Sequence, residues 1–121
     1  MPTVKSYQDL VVWQKAMSLV TEIYRISQKF PKEEIFGLTS QIRRAAVSIP
    51  SNIAEGQGKS STGEFKSFLG HAKGSLAELE TQILIAKNLN FVSENEVDQL
   101  LILIAEVGRI LNALVSALKK K

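Results

Sequence analysis

A chain of 121 residues without cysteine has room for one hydrophobic core but no disulfide, thiolate metal site or cysteine nucleophile. Its 15 Lys and Arg against 12 Asp and Glu give a formal charge of +3, a mild lean toward anionic partners. Trp13, Gln14 and Lys15 interrupt any signal-peptide core, and the apolar run Leu100 to Ala105 stops at Glu106, short of the ~20 residues of a membrane span, so a cytoplasmic protein without a membrane partner is expected.

In the first segment Leu10, Trp13, Met17, Val20 and Tyr24 recur at steps of three and four, the rhythm of one helical face. Val12, Ala16, Leu19, Ile23, Ile26 and Phe30 make a second row beside it. Pro31 closes this helix, predicted over residues 7–29, because the residue before proline is pushed out of the α region. Ile35, Leu38, Ile42, Ala45, Ala46, Ile49 and Ile53 carry the second helix. Pro50 lies inside it and is expected to kink rather than stop it, since Ile53 resumes the stripe. Gly56 and Gly58 are read as its end, glycine being the residue that tolerates left-handed backbone past a helix C-terminus.

Ser61 with Glu64 reads as a capping box opening a third helix, whose stripe Leu69, Ala72, Leu76, Leu79, Ile83 and Ala86 runs to about Asn88, with Asn90 as a cap. Ser93 with Glu96 repeats the capping signature. Val97, Leu100, Ile104, Val107, Leu111, Leu114 and Leu118 then make the cleanest stripe of the chain, a fourth helix over residues 94–118. Such short connections set neighbouring helices antiparallel. The expected fold is all-α: one antiparallel up-and-down four-helix bundle over residues 1–121, its second helix kinked at Pro50.

Surplus apolar rows bear on assembly. Leu103, Ile110 and Ala117 stand one heptad apart on a second face of helix four, as the second row does on helix one. We read these rows as a subunit interface; the plainer alternative is a wide stripe packing on two neighbours within one bundle. Gly70 and Gly74, four apart, would let a further backbone approach closely, a weak signal in a helix of this kind.

Catalytic chemistry finds little to stand on. A two-metal bundle needs Glu three residues before His on two helices, whereas the sole histidine, His71, is preceded at that spacing by Phe68. No serine is provided with an oriented base. Gly56, Gln57, Gly58 and Lys59 match neither nucleotide-binding glycine pattern. The expectation is a protein that is not an enzyme and needs no metal or cofactor.

Lys59, Lys66, Lys73 and Lys87 are separated by seven or fourteen residues and fall on one line of helix three, broken by Glu80. Such a row can track a phosphate backbone, each contact releasing counterions, and Arg43 and Arg44 add to it. The alternative is a solvated charged face without aromatic residues interleaved for base stacking. Arg44 also shares a polar face with Ser48, Ser51 and Glu55, which offers it an internal partner. By topology one end of the bundle collects Lys5, Lys59, Lys66, Lys119, Lys120 and Lys121, the other Glu33, Glu34, Glu94, Glu96 and Asp98.

A family resemblance rests on particular residues. Tyr7, Asp9, Leu10 and Val12 to Ala16, then Phe30 and Pro31, then Gly37, Leu38 and the run Gln41 to Pro50 resemble the four-helix-bundle family of 23S rRNA intervening-sequence proteins, also called the S23 ribosomal protein family. Asn52, Ile53, Ala54, Glu55 and Gly56 form its most recognisable motif, followed by Glu64, Phe65, Phe68 and Leu69, then Ala72, Gly74, Ser75, Leu76, Glu78, Leu79 and Glu80. The resemblance implies a small bundle assembling into a ring of five. It also implies nucleic acid, or a nucleic-acid-processing protein such as a reverse transcriptase, as partner, because a similar bundle serves as accessory protein of diversity-generating retroelements. Where such relatives commonly carry Arg, this chain has Lys59, which keeps the charge and loses bidentate phosphate geometry.

Two functions follow. One is an oligomer binding RNA or DNA through Arg43, Arg44, Lys59, Lys66 and Lys73. The other is a protein-binding assembly module with no direct nucleic-acid contact, in which Trp13, Pro50, Asn52, Glu55 and Gly56 serve folding, Asn52 and Glu55 satisfying buried polar groups, and Leu103 and Ile110 meet another subunit.

Overall fold

The computed structural model describes residues 6–119; Lys5, Lys120 and Lys121 of the expected basic end lie outside them. Four helices account for most of the chain: α1 (Val11–Ser27), α2 (Leu38–Gln57), α3 (Thr62–Asn88) and α4 (Glu94–Lys119), with no strand among the described residues. α1 packs on α2, α2 on α3, α3 on α4, and α4 closes back on α1, a four-helix bundle around one core. Lys15 meets Glu106 while Lys29 meets Glu96, so α1 and α4 run in opposite senses. Ser48 bonds Ser75 while Gly56 lies under Phe65 and Phe68, which sets α2 against α3 in the same antiparallel manner.

Local chemistry moves some boundaries. Ser6 and Asp9 close a capping box around a 3₁₀ turn, Tyr7–Asp9, and Leu10 is extended, so α1 proper starts at Val11 rather than residue 7. The core row of α1 is Val12, Ala16, Leu19, Ile23 and Ile26, the row read as surplus. The row Leu10, Trp13, Met17, Val20 and Tyr24 flanks it, half-buried or exposed. Ile35 does not belong to the α2 stripe. It precedes the helix, in a turn where Glu34 Oε1 accepts from the Leu38 N–H at 3.1 Å, and is exposed, with Phe36 beside it 95% exposed.

α2 runs unbroken through Pro50 to Gln57. Its glycines do not act by left-handed geometry, since no described glycine has positive φ. Gly56 is inside the helix and buried. A Cβ there would stand 2.7 Å from Phe68 Cβ and 3.1 Å from Phe65 Cδ1, so its missing side chain sets how closely α3 approaches α2. Gly70 and Gly74, in contrast, face open space.

α3 begins at Ser61, whose Oγ accepts from the Glu64 N–H at 3.1 Å. It ends with Asn90 in left-handed backbone at φ 63°, where Phe91 N–H bonds Ala86 O and Asn90 N–H bonds Lys87 O, the paired bonds of a Schellman end. The buried Gln82 leaves its Oε1 without a hydrogen-bond partner among the described residues.

α4 opens with a reciprocal capping box. Ser93 N–H donates to Glu96 Oε1 and Glu96 N–H donates to Ser93 Oγ, both at 3.2 Å. The same carboxylate receives Lys29 Nζ at 2.9 Å and lies 3.8 Å from Arg25, tying the end of α1 to the start of α4. Lys29 first, then the Ser93 backbone, hold the Glu96 carboxyl below the usual carboxylate range. A depressed pKa adds stability that is present above the ordinary glutamate value of about 4.3 and lost as pH falls through the lower folded value. Glu96→Gln should therefore lower stability at neutral pH and flatten the acid limb of a melting-temperature profile; an acid limb identical to wild type would mean that water screens the pair.

Val97, Leu100, Ile104, Val107 and Leu111 of α4 are buried in the core. The stretch Glu94–Leu118 is long and apolar enough by length and composition to cross a membrane, and 22% of its most apolar window is buried within the subunit. One stripe of α4 is buried in the core as in a bundle helix; Leu101, Leu103, Ile110, Leu114 and Val115 flank it half-buried, and Ile102 is exposed.

Candidate nucleic-acid interface

The ion pairs divide the molecule. Lys15, Arg25 and Lys29 of the α1 side pair with Glu106, Glu22 and Glu96, and Lys87 lies 4.0 Å from Glu94 across the α3–α4 turn. Among the described residues Arg43, Arg44, Lys59, Lys66 and Lys73 make no salt bridge. The cations of α1, with Lys29 just beyond it, are neutralised in place; those on α2 and the first half of α3, like Arg109 of α4, have no carboxylate within ion-pair distance among the described residues.

Adjacent residues on a helix point about 100° apart, and Arg43 and Arg44 differ accordingly. Arg43 reaches α1, where its Nε donates to the buried Ser27 Oγ at 2.8 Å and its guanidinium lies 4.7 Å from the Tyr24 ring centre. Arg44 is exposed. It borders two grooves, one with Tyr24, Ser40 and Arg43, the other with Gln41, Ser48 and Glu78. Its expected neighbour Ser48 bonds instead to Ser75 Oγ at 2.8 Å and to Asn52 Nδ2 at 2.9 Å.

The lysine line is shorter than its spacing implies. Lys59 precedes α3, in the connection after α2, and lies 5.3 Å from the Phe68 ring centre. Phe68 in turn meets the His71 ring edge-on at 6.0 Å. Lys87 is occupied by Glu94. Lys73 borders the α3–α4 groove with Leu76, Glu80 and Leu101. The cations thus form two groups, Arg43 with Arg44 between α1 and α2, and Lys59, Lys66 and Lys73 along the start of α3. Tyr24, Phe68 and His71 supply the aromatic surfaces that sequence spacing missed. Phe68 and His71 stand three apart on a helix, which was a readable signal; the Tyr24–Arg43 stack joins two helices and was not.

The structural candidates also have places. Trp13 is half-buried, meets Tyr7 edge-on at 5.3 Å and lines an apolar groove with Met17 and the buried Pro50. Asn52 Nδ2 also donates to the Ser48 carbonyl at 2.8 Å, a half-buried link next to the Ser48–Ser75 bond. Glu55 is exposed, away from the buried polar groups it was expected to satisfy among the described residues. Leu103 and Ile110 are half-buried against the core of their own subunit, whereas Ile102 is 70% exposed.

Residues 8–113 match the family model described as 23S rRNA-intervening sequence protein. The chain belongs to this family. A solved structure of a protein of unknown function from the S23 ribosomal protein family of Bacteroides thetaiotaomicron VPI-5482 is similar, with TM-score 0.81 and 20% sequence identity, covering 87% of this chain and 98% of that one. At that identity the likeness speaks for the fold. No curated protein matches the chain. In this member of the 23S rRNA-intervening sequence family, the matched span includes both groups of cations and the buried Gly56.

Proposed function

We propose that this chain is a non-catalytic, self-associating bundle, as a ring of five, that binds RNA through basic side chains of α2 and α3. The observation that carries the reading is the division of charge: Arg44, Lys59, Lys66 and Lys73 have no carboxylate within ion-pair distance among the described residues, while the cations of α1 are paired. An exposed cation without a partner costs little to bring against phosphate, because no existing pair has to break, and each contact gains from counterion release. The aromatic rings of Tyr24, beside Arg43, and Phe68, beside Lys59, support contact with bases as well.

A second reading, an assembly module with no direct nucleic-acid contact, is favoured by the apolar side chains of α4 that the bundle covers only in part, Leu103 and Ile110, beside the exposed Ile102. One experiment separates the two. Binding of labelled single-stranded RNA is measured against salt for the full chain and for the triple variant Arg44→Ala, Lys66→Ala, Lys73→Ala. The expected result is a steep salt dependence whose log–log slope falls by about 0.7 for each single-strand contact removed. No binding at low salt, with particle mass unchanged in the variant, would leave the assembly module.

A further inference from the structure

The groove between α1 and α2 has a volume of about 610 Å³ and is open along one side, within the size range of ligand sites, about 300–1,000 Å³. Its lining combines a flat π-surface, positive charge and apolar side chains: Tyr24, Arg43, Arg44, Ser40, Ile35 and Val47. Among the described residues no carboxylate lines it.

The two arginines are not equivalent within it. Arg43 is braced from α1 by Ser27, and its guanidinium lies over the Tyr24 ring, 4.7 Å from the ring centre, so ring and guanidinium make a preformed platform of two flat groups, one over the other. Tyr24 is 40% exposed, leaving part of that platform open to the groove. Arg44, one residue further along α2, is exposed and free of ion pairs among the described residues. A fixed flat surface next to an exposed cation suits a ligand that is itself flat at one point and anionic beside it.

We propose that this groove holds one nucleotide of a single-stranded nucleic acid, its base laid on the Tyr24–Arg43 platform and its phosphodiester at Arg44. The inference rests on the nucleic-acid reading above and adds a preference to it. Stacking on a side chain requires a base whose face is bare, and in a duplex both faces are covered by neighbouring pairs. An acidic peptide would satisfy Arg44 and leave the platform unused. The open side of the groove lets a strand pass through rather than be enclosed.

The test compares a short labelled single-stranded RNA, the same sequence as a duplex, and a polyglutamate competitor on the full chain at fixed low salt. Tyr24→Ala is expected to weaken single-strand binding about tenfold or more and leave duplex binding unchanged, while Tyr24→Phe binds as wild type. Tyr24→Leu keeps apolar bulk without a π-face; it should behave as the alanine variant does and covers the case in which alanine lowers the melting temperature. Single-strand binding unchanged in both Tyr24→Ala and Tyr24→Leu overturns the proposal. So does equal loss of duplex and single strand, or displacement of the RNA by polyglutamate that Arg44→Ala abolishes. Those outcomes leave the broader reading standing; failure of both RNA forms to bind wild type removes the broader reading and this groove with it.

Discussion

Gly56→Ala is expected to destabilise the bundle by about 2 kcal/mol, read as a lower urea midpoint at unchanged slope. On intrinsic grounds the substitution should help, since alanine is favoured over glycine inside a helix by roughly 0.5–1 kcal/mol. Packing opposes this. The added methyl would meet Phe68 Cβ at 2.7 Å and Phe65 Cδ1 at 3.1 Å, and Phe68 Cβ is fixed to the α3 backbone, so it cannot rotate aside. α3 has to move, and α2 and α3 share the most extensive contact of the fold. Neighbouring core residues such as Ile53 and Leu69, both fully buried, would lose contact as it does. A variant as stable as wild type, or more so, would mean that the helices separate at no cost and that Gly56 is not a spacer.

The neighbouring arginines provide the second contrast. Arg43→Ala should cost about 2 kcal/mol, whereas Arg44→Ala should leave stability within about 0.5 kcal/mol and act on nucleic-acid binding alone. Arg43 donates to Ser27 Oγ, which is 2% exposed, and covers Tyr24. Its loss removes a charged hydrogen bond worth roughly 1.5–3 kcal/mol and a cation–π contact of about 0.5–1 kcal/mol, offset partly by Ser27 Oγ retaining its bond to the Tyr24 carbonyl. Arg44 has no such ties. Equal effects of the two substitutions in thermal denaturation would erase the distinction between brace and contact residue.

These adjacent arginines show what could and could not be read from the chain. Periodicity located four helices and most of the core, because burial of a stripe every three or four residues is a local property. It could not say which of two equally spaced rows on α1 faces inward; the small Ala16 and the fully buried Leu19 and Ile23 decide that only once α2 and α4 are in place. The lysine line failed for a geometric reason. A spacing of seven drifts about 20° per heptad on a straight helix, and Lys59 lies before the first turn of α3. Capping at Ser61 and Ser93 was legible because donor and acceptor sit three residues apart. The additional hold of Lys29 on Glu96 spans 67 positions and left no local trace, nor did the reach of Arg43 to Tyr24.

The ring of contacts has a kinetic consequence. Three of its seams join helices consecutive in sequence, and only the seam of α1 with α4 brings the two ends of the chain together. Closing a long loop costs entropy before any contact repays it, so hairpin pairs such as α2 with α3 are expected to gain structure early and the α1–α4 seam to zip last. The salt links at Glu96 and Glu106 are then absent from the folding barrier. Weakening them should hasten the opening of the native bundle and leave the speed of its formation nearly untouched.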